Sequence, residues 1–157
     1  MHKSIFIVLF FLSGNILAQK TTIIKFDELR SLIEDGDSKI QVINFWATWC
    51  GPCVKELPLF EALNAKNDPD VKVTLINLDY ADQVEKVNAF IQRKKLKSEV
   101  LLLDEIDYNS WIDRVDKSWG GAIPATLFVN QKTGKRKFVD KELSESELQE
   151  VIVSLKN

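Results

Sequence analysis

The segment that decides the fold is Ile40-Gln41-Val42-Ile43-Asn44-Phe45-Trp46-Ala47-Thr48-Trp49-Cys50-Gly51-Pro52-Cys53. Its first half, Ile40 to Trp46, is a nearly continuous apolar run, the pattern of a strand covered on both faces. Its second half opens a helix at about Pro52, a residue that suits the first helical turn. Val54, Leu57, Phe60 and Leu63 follow at helical spacing, and Pro58 inside that run predicts a kink. The two cysteines therefore sit where a buried strand passes into a helix.

That position has a chemical consequence. At a helix N-terminus the unpaired backbone N–H groups and the helix dipole favour a thiolate. A thiolate is the attacking species in disulfide exchange, so Cys50 is expected to attack. Cys53, one turn further in, is placed to resolve the mixed disulfide, and Gly51 leaves room for a close approach. Two other readings compete. Paired cysteines at this spacing also form zinc half-sites, and they can form an inert structural disulfide. Zinc normally takes four ligands. These two cysteines are the only ones in the chain, and its one histidine, His2, lies near the N-terminus. The inert disulfide closes a very small loop and would stabilise little.

Outward from the motif, strands and helices alternate. Thr21 to Lys25 reads as a short strand, and Asp27 as the cap of a helix carrying Leu29, Leu32 and Ile33 on one face. Val71 to Leu78 is a further strand, and Asp82 with Glu85 has capping-box spacing ahead of Val84, Val87 and Ile91. Val100 to Leu103 reads as a buried strand and Tyr108 to Val115 as helical. Ala125 to Asn130 and Lys135 to Val139 read as a hairpin across Lys132-Thr133-Gly134. Ser144 and Glu147 form a second capping box, before a helix lined by Leu148, Val151, Ile152 and Leu155. The order predicts an α/β fold with a central mixed sheet flanked by helices.

Residues 1–18 have a different character. Lys3, the apolar run Ile5 to Leu12 and Ile16-Leu17-Ala18 follow the charged, apolar, small-residue order of a secretory signal peptide. Cleavage is expected after Ala18, leaving one domain over residues 19–157; a retained anchor is the alternative. The apolar run is shorter than the roughly 20 residues of a membrane span. A leader removed at Ala18 takes His2 with it, which excludes histidine metal sites, serine-type triads and Cys-His pairs. The 157 residues are 45% hydrophobic and 28% charged with a net charge of −2, which gives no sign of nucleic-acid binding. No cofactor or metal is expected.

Phe45-Trp46-Ala47, Trp49-Cys50-Gly51-Pro52-Cys53 and Gly121-Ala122-Ile123-Pro124-Ala125-Thr126 resemble the active site and cis-proline loop of the thioredoxin superfamily. Lys55-Glu56-Leu57-Pro58 and the longer middle section resemble its exported TlpA/ResA-type branch, over about residues 38–155. The resemblance implies a thioredoxin fold in which residues 79–104 add a helix and a strand. It implies that Pro124 is cis, faces the cysteines, and with Ile123 and Trp49 contacts an extended substrate. Thioredoxins carry a buried Asp where this chain has Asn44, which cannot move protons. TlpA/ResA-type proteins have a Glu at the position of Glu56, and by that resemblance Glu56 is expected to exchange the proton of Cys53. Trp119 would either border the substrate groove or pack in the core.

The implied activity is thiol–disulfide exchange on disulfide-containing client proteins. Gly-Pro between the cysteines resembles reducing members of the superfamily. An exported reductase needs an upstream membrane thiol electron donor, with the periplasm as its compartment in a Gram-negative source. The rival reading is a redox-sensitive binding protein that holds a partner without turnover.

Overall fold

Strand β2 (Ile40–Trp46) is buried along its whole length, and its alternation sorts the core into two halves. Ile40, Val42 and Trp46 face one cluster, while Ile43 and Phe45 face the other. The first cluster is completed by α2 (Gly51–Ala65), α3 (Val84–Lys94) and α5 (Glu145–Lys156) through Leu57, Phe60, Phe90, Leu148 and Ile152. The second is completed by α1 (Phe26–Asp35) and the short α4 (Ile112–Val115) through Phe26, Leu29, Ile33 and Val115. The computed structural model describes residues 20–35 and 39–156. The expected leader over residues 1–18 lies outside them. Among the described residues no helix is long and apolar enough to cross a membrane.

The remaining strands are β1 (Thr22–Ile24), β3 (Val71–Asn77), β4 (Glu99–Leu103), β5 (Ala125–Asn130) and β6 (Arg136–Val139). They form one sheet in the order β1-β4-β3-β2-β5-β6. β1, β4, β3 and β2 run parallel, whereas β5 and β6 pair antiparallel. This is the expected mixed sheet of a thioredoxin-like fold. The expected extra helix and strand are α3 and β4, and β4 lies between β1 and β3.

Local expectations divide by how far away their determinants lie. The Ser144–Glu147 box forms as read: the Ser144 N–H donates to Glu147 Oε2 at 2.8 Å and the Glu147 N–H to Ser144 Oγ at 3.3 Å. The Asp82–Glu85 box does not form. The Gln83 N–H bonds to the Tyr80 carbonyl in a 3-10 turn over Ala81–Gln83, so the helix begins at Val84 with no side-chain cap. Asp27 is likewise not a cap but lies in the first turn of α1. There the Lys25 N–H donates to Glu28 and the Phe26 N–H to Glu105, from the loop after β4. Tyr108 to Val115 is not one helix: a 3-10 turn at Tyr108–Ser110 and α4 are separated by Trp111. α2 continues through Pro58, which cannot donate to the preceding turn.

Candidate active site

Parallel strands β2 and β3 end side by side, with Trp46 opposite Asn77, and the chain leaves β2 into a turn closed by Cys50 N–H to Ala47 O at 3.1 Å. Cys50 is the N-cap of α2, and its sulfur accepts the Cys53 N–H at 3.3 Å. A free donor of the first helical turn thus points at the Cys50 sulfur, which is the arrangement that stabilises a thiolate there. Cys50 and Cys53 are joined as a disulfide. Cys53 is fully buried, whereas Cys50 retains 6% exposure. A Cβ on Gly51 would meet nothing within 4 Å, so the space beside the outer cysteine is open.

The Ile123–Pro124 bond is cis and the loop faces the cysteines, with the Ile123 carbonyl 3.8 Å from Cys50 Sγ. Pro124 is buried and Ile123 half-buried, while Trp49 stands 66% exposed beside Cys50. Trp119 lies in the core at 3% exposure, against Phe45, Trp111 and Phe138. Its Nε1–H donates to the Ala122 carbonyl at 2.8 Å, so it braces the loop from beneath.

Glu56 is buried, not on the surface. It sits on the face of α2 that meets the even-numbered residues of β2. Its Oε1 accepts from Asn44 Nδ2 at 2.9 Å and its Oε2 from the Leu143 N–H at 3.1 Å. Burial raises its carboxyl above the usual 4.5, partly offset by these two neutral donors. Asn44 Nδ2 also reaches Thr126 Oγ1 at 3.1 Å, which ties Glu56 to the strand after the cis-proline loop.

One participant was invisible from the motif. Asp79, just past β3 and 2% exposed, accepts the Thr48 N–H at 2.7 Å, the Thr48 hydroxyl at 2.6 Å and Asn77 Nδ2 at 2.9 Å. Lys86 Nζ stands 3.7 Å from it. Asp79 thereby fixes the turn that presents Trp49 and Cys50. Only its place at the C-terminal end of a strand beside β2 could have suggested this. Among the described residues no group of three or more His, Cys, Asp or Glu gathers as metal ligands.

Comparison with known proteins agrees with this geometry. A family model described as Redoxin matches residues 31–152. The thioredoxin-like protein YneN of Bacillus subtilis is 35% identical over 74 residues, 46% of this chain and 44% of that protein. The thiol-disulfide oxidoreductase ResA of Oceanobacillus iheyensis is 31% identical over 104 residues, 66% of this chain and 50% of the relative. The chain thus spans half or less of the length of these curated relatives. A crystal structure of a secreted Mycobacterium tuberculosis disulfide oxidoreductase superposes with a TM-score of 0.56 at 26% identity, covering 74% of this chain and 81% of that one.

Proposed function

The chain belongs to the Redoxin family, and on that premise we propose that it is an exported thiol–disulfide oxidoreductase that reduces client disulfides. One observation carries the reading: the outer cysteine of a bonded pair caps a helix, beside a cis-proline loop, while its partner is fully buried. In the reduced protein the Cys50 thiolate attacks a client disulfide. The client S–S bond breaks, a Cys50–client disulfide forms, and one client sulfur leaves as a thiolate. Cys53 then attacks the Cys50 sulfur, which releases the second client thiolate and closes the Cys50–Cys53 disulfide. The client gains two electrons, which the cysteine pair loses; its two thiolates take up the proton that Cys53 gives up and one from solvent.

Glu56, three residues after Cys53 and with its carboxyl raised by burial, accepts the Cys53 proton in the resolving step. Trp49, Ile123 and Pro124 hold the client segment, with Ile123 offering its backbone to an extended strand. A membrane thiol donor returns two electrons after each cycle. Export rests on the charged, apolar, small-residue order of residues 1–18 and on the secreted M. tuberculosis relative. In a Gram-negative cell the compartment is the periplasm.

Insulin reduction with dithiothreitol as donor tests the activity. Catalytic turnover that Cys50→Ser abolishes is expected. Binding of insulin without turnover would replace the enzyme by a redox-sensitive binding protein. A reduction potential as high as that of strong disulfide oxidants would reverse the direction of electron flow.

A further inference from the structure

The net charge of −2 conceals a separation of charge along the sheet. Strands β1, β4, β3 and β2 run parallel, so one end of the sheet gathers their last residues, with Cys50 just beyond, and the other gathers their starts. The described connections at the cysteine end are residue 25 and residues 47–50, 78–83, 104–124 and 140–144. They carry nine carboxylates and four basic groups. At the opposite end the proportion reverses: Lys39, Lys66, Lys95, Lys97, Lys132 and Lys135 stand against Asp68 and Asp70. The β5–β6 turn belongs to this end, because Asn130 lies opposite Ile40 and the Gln131 N–H bonds to the Lys39 carbonyl at 2.8 Å.

The densest part is Arg93-Lys94-Lys95-Leu96-Lys97, which runs from the last turn of α3 to just before β4. Its four cationic residues are exposed, and among the described residues no carboxylate lies within 4.0 Å of their nitrogens. The neighbouring acids are engaged elsewhere. Glu61 accepts the Lys97 N–H at 2.6 Å and the Ser98 N–H at 3.0 Å, which fixes the backbone of the run, and Glu99 pairs with Lys72 at 3.3 Å. Like charges crowded in this way repel one another, and an anionic surface relieves that repulsion.

We propose that this end of the molecule docks on an anionic membrane surface, with its lysines against the lipid headgroups and the cysteine pair turned to the aqueous side. The path of the chain decides the occupant. Thr22 of β1 lies opposite Leu101 of the parallel β4, which puts Lys20 level with Glu99, two residues past Lys97. The chain is fastened there, the Thr21 N–H donating to Asn88 Oδ1 on α3 at 2.9 Å. Residues 1–18, with the apolar run of a leader, therefore join the fold beside the basic run. The seven residues from Ser13 to Gln19 can span about 25 Å at most, so a leader in the membrane holds this end near the surface. The acidic cysteine end is repelled by the same surface, which selects one orientation. Docking of this kind is independent of the direction of electron flow.

Acetylation of lysines in the full chain, read residue by residue by mass spectrometry, tests this. The chain is mixed with vesicles of phosphatidylcholine alone or of equal parts phosphatidylcholine and phosphatidylglycerol. Each basic group at an anionic surface adds roughly fivefold to partitioning. On the anionic vesicles Lys94, Lys95, Lys97, Lys132 and Lys135 should therefore label at least about fivefold more slowly than on the neutral ones, with Lys25, Lys117 and Lys141 unchanged. Raised salt should abolish the difference. Lys94→Gln, Lys95→Gln and Lys97→Gln together should remove the protection of Lys132 and Lys135 and leave insulin reduction in solution unchanged. Equal labelling on both vesicles, or protection at the cysteine end instead, would overturn the docking whether or not the leader anchors the chain. Protection by soluble polyglutamate but not by the anionic vesicles would assign the face to an acidic protein and overturn it as well.

Discussion

Two buried carboxylates flank the cysteine motif, and they are held in opposite ways. Asp79 accepts three hydrogen bonds, two of them from Thr48, with the Lys86 ammonium close by. Glu56 accepts two, both from neutral amides, and its carboxyl is raised by burial. A carboxylate crowded by donors is a fixed post for the backbone. One buried with few donors is a site where a proton comes and goes at small cost. On the proposed mechanism the same functional group serves as a clamp before the motif and as a proton station after it.

The clamp is broken by Asp79→Ala, for which the largest effect is expected. The change leaves the Thr48 N–H and Asn77 Nδ2 without their acceptor in a buried place, at a cost of about 3 kcal/mol of stability. Urea unfolding of the oxidised protein measures it. Asp79→Asn keeps one acceptor oxygen and should lose less. Equal midpoints for wild type and Asp79→Ala would show that the turn holds itself.

The proton station is tested by Glu56→Gln, which keeps size but cannot ionise and offers one acceptor oxygen to the two donors, Asn44 Nδ2 and the Leu143 N–H. Resolution of the mixed disulfide by Cys53 should slow about a hundredfold, the lower end for general acid–base catalysis. Quenched-flow trapping of the Cys50–client species reads this, and an unchanged rate together with unchanged thiol pKa values would end the proton-transfer role. Stability gives a second readout. Below about 4.5 Glu56 is protonated both folded and unfolded; as pH rises from there toward its raised folded value, the folded state alone keeps the proton and loses ground. Wild type should therefore weaken over that interval relative to Glu56→Gln.

What the sequence revealed follows from range. The apolar run of β2, the place of Cys50 at the start of a helix and the Ser144–Glu147 box are written within a few residues, and each forms as read. The starts of α1 and α3 are not: Phe26 N–H finds its acceptor 79 residues away on Glu105, and the turn after Tyr80 consumes the residues that mimic a box. The active site divides likewise. The cysteines were legible from spacing, and Glu56 from resemblance alone. Its burial depends on Asn44 and on Leu143, 87 residues along the chain, and no helical period could announce it. Asp79 holds Thr48 across 31 residues through strand pairing, which exists only once β2 and β3 are adjacent. Trp119 was open between groove and core, and packing against Phe45 and Trp111 puts it in the core.

A third carboxylate sharpens the contrast on a single stretch of chain. Leu143 donates its N–H to buried Glu56, and the next residue, Ser144, donates its own to partly exposed Glu147. Lys141 and the Ser144 donors lower the Glu147 carboxyl to about 2. Its sign is the reverse of Glu56: the stabilisation is complete above 4.5 and is lost as pH falls from there toward about 2. Stability of the oxidised protein should thus rise with pH on the acid side of 4.5, where Glu147 and Asp68 both contribute, reduced by solvent screening, and fall above it, where Glu56 contributes. Glu147→Gln should make the acid limb shallower, Asp68 beside Lys156 supplying the remainder, and leave the other limb; Glu56→Gln should flatten the upper limb and leave the acid one. Ser144→Ala, which removes only the hydroxyl of the cap, should cost about 1 kcal/mol, the smallest of these effects. Urea midpoints between pH 2 and 8 for the three variants decide the matter, and a limb that responds to the wrong carboxylate would dissolve the distinction between clamp, station and cap.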